Sequence, residues 1–82
     1  MEQTEILAQV NALFKRVFEN ENISVNMNTT AEDVEEWDSL NHTVMIAEVE
    51  KHFNVRFKLR EMLGFKNVGD MVSTIELKLK ER

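Results

Sequence analysis

Asp38-Ser39-Leu40 is the stretch of this chain most able to do chemistry, with Trp37 directly before it. Asp38 is a good helix N-cap, which makes Ser39 the first helical residue. The hydroxyl then projects from a corner where backbone N–H groups have no helical acceptor. A phosphate ester on Ser39 would be favoured by those donors and by the positive end of the helix dipole. Leu40 is expected to turn inward and hold this corner against the core. The pattern suggests a serine that bears a phosphodiester-linked group rather than one that attacks a substrate. Capping alone also accounts for an Asp and a Ser side by side.

His42 lies one turn beyond Ser39 and raises the alternative of a hydrolytic Asp–His–Ser set. Asp38 is better placed to cap than to orient an imidazole, and no glycine-rich elbow accompanies the serine. His42 therefore reads as a partly exposed helix residue, and His52 as a surface one. No His, Asp or Glu spacing suits a metal, and the chain has no cysteine, which excludes thiolate ligands, disulfides and cysteine nucleophiles. The acidic run Glu32-Asp33-Val34-Glu35-Glu36 reads as a solvated loop that also helps a basic enzyme find Ser39.

Four helical segments position this corner. Ile6, Val10, Leu13, Phe14, Val17 and Phe18 recur at helical spacing and predict a first helix from about Thr4, its cap, to Glu19. Residues 20–37 form a long polar connection in which Ile23, Val25, Met27 and Val34 act as anchors. A second helix runs over 39–53. Met45, Ile46, Val49 and Phe53 make its core stripe, and Leu40, Val44 and Ala47 make a second apolar stripe. Val55 to Leu59 is an extended connector anchored by Val55, Phe57 and Leu59. A short helical turn over 59–63 ends at Gly64, expected as a left-handed cap. The last helix spans 68–80. Asn67 caps it, Asp70 suits its positive end, and Lys78, Lys80 and Arg82 suit its negative end. Met71, Val72, Ile75 and Leu79 form its core stripe. The methionines Met27, Met45, Met62 and Met71 fill core gaps and are soft enough to yield to an apolar guest.

The expectation is one all-α domain over 1–82, three main helices and one short one around a single small core. The hydrophobic fraction of 43% is that of an ordinary globular chain. No proline and only two late glycines favour helices over a turn-rich β fold. The start of the chain is acidic and polar, unlike a signal peptide. No apolar run approaches the roughly eighteen residues that span a bilayer. A cytoplasmic monomer without stable membrane insertion is expected. The net charge of −5 is uneven: residues 1–38 carry nine acids and two bases, residues 39–82 six acids and eight bases. The acidic half disfavours nucleic acid as a partner.

Taken together, these features resemble the acyl carrier protein family, the phosphopantetheine-binding carriers. The resemblance covers nearly the whole chain. It rests on the long first helix and loop, Asp38-Ser39-Leu40 opening helix two, Glu48 and Glu50 within it, Phe53 near its end, and Val68-Gly69-Asp70 opening helix four. It implies that Ser39 receives 4'-phosphopantetheine from coenzyme A through a phosphopantetheinyl transferase, with Asp38 and Leu40 flanking the site. The terminal thiol of the arm would hold an acyl group as a thioester. The protein would then be a shuttle for acyl-loading and acyl-processing enzymes and not itself an enzyme.

The chain departs from the carriers of fatty-acid synthesis at informative places. Trp37 stands where they most often have Gly; its indole could simply shield the loop–helix junction. Val44 and Lys51 occupy positions that are often acidic, and the third helix carries Lys58 and Arg60. The expected partner contact is Leu40, Val44 and Ala47 with Glu48 and Glu50 at its edge, facing an apolar or mixed surface in a specialised fatty-acid, polyketide or related pathway. A peptidyl or aminoacyl carrier has the same fold and attachment chemistry. An unmodified helical interaction module is the alternative of another class.

Overall fold

The computed structural model describes residues 1–81. Four helices follow one another: α1 (Gln3–Val17), α2 (Ser39–Phe53), α3 (Leu59–Leu63) and α4 (Val68–Lys80). Among the described residues there is no strand. The all-α expectation holds, and α1 packs against both α2 and α4. Each long helix buries the stripe that its period predicts: Ile6, Val10, Leu13 and Phe14 on α1; Met45, Ile46, Val49 and Phe53 on α2; Val68, Met71, Val72 and Ile75 on α4. Each such side chain contributes about 1.5–3 kcal/mol by leaving water, so these stripes hold the bundle together. Leu79 is only partly buried at the edge of the core.

The long connection is irregular but tied down. Ile23, Val25, Val34 and Trp37 are buried, and Met27 packs partly against the core. Asn11 on α1 accepts from the Val25 N–H at 2.8 Å. The N–H groups of Val68 and Gly69 donate to the carbonyls of Thr29 and Met27, at 2.8 and 2.7 Å. The first turn of α4 thus spends otherwise unpaired donors on the loop, which fixes the approach to α2.

Several details differ from expectation. α1 begins after Glu2, whose side chain makes no cap bond, and Thr4 lies exposed inside the first turn. It also ends two residues early, because Phe18 closes it and Glu19 turns left-handed at φ 52°. Gly64 is not a left-handed cap. Its φ is −91°, and its N–H closes a tight turn onto the Glu61 carbonyl at 3.1 Å, which any residue can do. The left-handed closure falls instead at Asn54, φ 57°, ending α2. Leu59 is 64% exposed rather than an anchor. The in–out alternation of the connector stops after Val55 and Phe57, because the chain already coils into α3 at Leu59. Asn67 does cap α4, accepting from the Asp70 N–H at 2.8 Å. The expected role of Arg82 lies outside the described residues.

Candidate functional site

Asp38 and Ser39 sit where the sequence puts them. The Asp38 carboxylate accepts from the Asn41 N–H at 2.8 Å, and the Asp38 carbonyl accepts from the His42 N–H at 2.8 Å. Asn41 also donates its side-chain amide to the Glu36 carbonyl at 2.7 Å, locking the loop to the helix start. Two of the first-turn donors of α2 are thereby used, and those of Ser39 and Leu40 are left without a helical acceptor. Ser39 is exposed. It is one of the residues lining an open groove of about 360 Å³. Its other lining residues are Trp37, His42, Met62, Leu63 and Phe65, together with Ala31, Asp38 and Lys66.

Leu40 does not turn inward. It is 74% exposed, and Trp37 and His42 hold the corner in its place. Trp37 is buried edge-on against Phe14, with ring centroids 5.0 Å apart. Its indole N–H donates to His42 Nδ1 at 2.9 Å, and His42 Nε2 lies 2.9 Å from the Met62 carbonyl. An indole nitrogen only donates, so Nδ1 accepts; Nε2 must then carry the proton and donate to Met62. Both ring nitrogens are committed away from Ser39. The hydrolytic alternative fails here: the imidazole has no free nitrogen to serve as base, and Asp38 is occupied as a cap. His42 is thus a half-buried bridge, whereas His52 is a surface residue paired with Gln9 at 2.7 Å.

The acids of the loop have local tasks. Asp33 accepts from the Thr30 N–H at 3.0 Å, and Glu36 from the Asn20 amide at 2.8 Å. Among the described residues, no group of three potential metal ligands comes together. On α2, the side chains of Leu40, Val44 and Ala47 are all exposed in one stripe beginning next to Ser39. Glu48 and Glu50 fall on opposite flanks of it, as a 3.6-residue period requires. Glu48 pairs with Arg16 at 2.9 Å, and Glu50 accepts from the Phe57 N–H at 2.7 Å. Both acids therefore hold the fold as well as edging the stripe. On α3, Glu61 has its pKa lowered, first by the Lys58 backbone N–H that it caps and then by Lys78.

The chain matches, over residues 8–75, the family profile described as the phosphopantetheine attachment site. The fold is similar to that of a holo acyl carrier protein from Geobacter metallireducens. The TM-score is 0.87 at 34% identity, over 93% of this chain and 87% of that one. It is also similar to a protein described as an acyl carrier protein from Mycobacterium tuberculosis. There the TM-score is 0.79 at 24% identity, over 88% of this chain and 96% of that one, a likeness of fold. No curated protein matches the chain.

Proposed function

The chain belongs to the acyl carrier protein family, and from that membership we propose that Ser39 is the residue bearing its prosthetic arm. Members of this family are carriers and not enzymes. Their covalently attached 4'-phosphopantetheine supplies a terminal thiol that holds the acyl group as a thioester. They work with a phosphopantetheinyl transferase and with acyl-processing enzymes.

The observation that carries the assignment is the exposed Ser39 hydroxyl at the first residue of α2, beside the Asp38 cap. The site suits a phosphodiester. Two N–H groups are available there, the helix dipole favours negative charge, and a groove adjoins the hydroxyl to receive an extended arm. Asp38 fixes the helix start, and Leu40 stands out beside the serine where a transferase must approach.

The enzymes that use the arm meet α2 through Leu40, Val44 and Ala47, with Glu48 and Glu50 at the margins. Because those acids are engaged by Arg16 and the Phe57 N–H, contact with partners is mainly apolar. Together with Trp37, Lys51, Lys58 and Arg60, this supports a specialised fatty-acid, polyketide or related pathway in the cytoplasm. No helix among the described residues is long and apolar enough to cross a membrane.

The test is intact mass before and after incubation with coenzyme A and a promiscuous phosphopantetheinyl transferase. The expected result is a gain of one phosphopantetheine, mapped to Ser39 and absent in Ser39→Ala. A folded, initially unmodified protein that gains nothing refutes the assignment.

A further inference from the structure

His42 does more than the loading of Ser39 requires. Its ring joins the loop before α2, through Trp37, to α3, through the Met62 carbonyl. α3 is otherwise weakly held. It has five residues, none of them buried, and among the described residues its other long-range polar tie is the Glu61–Lys78 ion pair at 2.9 Å. An element with so little buried surface opens readily once a tether is cut. The same residues, buried Trp37 and half-buried His42 and Met62, line the groove beside Ser39. Met45 and Val49 follow His42 on the same face of α2 and are completely buried.

Opening a way inward between α2 and α3 requires Met62 to leave His42. If the ring swings out with α3, the buried indole N–H of Trp37 loses its acceptor. If the ring stays, its Nε2 proton and the Met62 carbonyl lose each other. Either way a poorly solvated polar group is left unpaired, which is more costly than exchanging one bond for water. We propose that His42 is a positioning residue that clamps α3 to α2. It thereby makes the groove beside Ser39 an outer shelf for an apolar acyl group rather than a passage into the core. This rests on Ser39 carrying the arm.

The experiment loads the wild type, His42→Ala, His42→Gln and Trp37→Phe from acetyl- and octanoyl-coenzyme A with a promiscuous transferase. Hydroxylamine then attacks each thioester carbonyl and releases the thiol, at a rate that reports how open the carbonyl is. In the wild type both thioesters are expected to cleave within about twofold of each other, with the methyl signals of Met45 and Met71 unmoved by the octanoyl load. In His42→Ala the octanoyl thioester is expected to cleave about fivefold more slowly than the acetyl one, the population shift that losing one net hydrogen bond brings. The Met45 methyl is expected to move as well. His42→Gln should restore the wild-type pattern, because its amide can accept from Trp37 and donate to Met62. Trp37→Phe removes only the donor to Nδ1 and should protect the octanoyl thioester in the same sense; it decides the matter if His42→Ala does not fold. Octanoyl protection already present in the wild type overturns the proposal, as do equal rates in the folded variants. Failure of Ser39 to accept the arm overturns the carrier reading and this one with it. Loading with the wrong chain-length pattern overturns this one alone.

Discussion

Gly69→Ala tests how the loop is held to α4, and through it the approach to Ser39. Gly69 is the second residue of α4, and its N–H donates to the Met27 carbonyl at 2.7 Å. A Cβ at this position falls 2.6 Å from that same carbonyl oxygen and 3.2 Å from Asn67 Oδ1, the cap of α4. Neither is the free end of a flexible chain, so the loop must retreat. Retreat weakens the Gly69–Met27 bond and the neighbouring Val68–Thr29 bond, a loss of about 1–3 kcal/mol for two backbone hydrogen bonds. The gain in helix propensity of Ala over Gly returns at most about 1 kcal/mol. The net expectation centres on a destabilisation of about 1.5 kcal/mol, or a fall in Tm of about 6–12 °C for a domain of this size. Thermal melts by circular dichroism, with a urea titration to check that the m-value is unchanged, give the number. Gly64→Ala is the control. Gly64 has an ordinary φ of −91°, and its Cβ would lie 3.3 Å from the Arg60 carbonyl, so its effect should stay within about 1 kcal/mol. The reasoning is wrong if Gly69→Ala is as stable as the wild type, or if Gly64→Ala is the more damaging change.

Asp38→Ala should lower stability by about 1 kcal/mol through loss of the bond to the Asn41 N–H, and Asp38→Asn should recover most of it; denaturant midpoints measure both. Ser39→Ala should leave the melting temperature within about 4 °C of wild type, because the exposed hydroxyl supports no other element, while abolishing phosphopantetheine uptake by mass. Val44→Glu should weaken docking to a cognate acyl-processing enzyme about tenfold in Kd without unfolding the carrier, and wild-type docking should change little with salt; a steep salt dependence measured by calorimetry would count against an apolar interface. Glu61 has a folded pKa below its ordinary 4.5, so its support of α3 is fully present above 4.5 and fades as pH falls through the lowered value. The Met62 methyl signal should report α3 loosening over that acid range, and Glu61→Gln should remove this pH dependence.

The three long helices were legible because their stripes repeat every turn, and the caps Asp38 and Asn67 because their side chains act within three residues. Gly64 misled because glycine permits a left-handed cap without requiring one; what decides is whether the following chain reverses, as it does at Asn54. Leu59 misled because alternation over five residues cannot show where a strand-like run gives way to a helix. The acid pair Glu48 and Glu50 was legible as an edge to the apolar stripe, but not as two intramolecular ties. Arg16 lies 32 residues from Glu48, and the Phe57 N–H carries no sequence signal.

The largest misjudgement lies at the site itself. Leu40 reads as the anchor, yet it stands exposed, and His42, partly exposed as its sequence position suggests, holds the corner through both ring nitrogens. The helix period explains it. Leu40 falls in line with Val44 and Ala47, on the side away from the core stripe, whereas His42 precedes Met45 and Val49 on the buried side. A polar ring on that side is tolerable only if both nitrogens are satisfied. Trp37 was visible as a nearby N–H donor, but the Met62 carbonyl is twenty residues away and backbone carbonyls have no signature in sequence. The apolar residue beside the serine is thereby left exposed, and the residue that could have been a catalytic base has both ring nitrogens engaged. That exchange suits the role proposed for Ser39: a hydroxyl within reach of other enzymes, and no base free to act beside it.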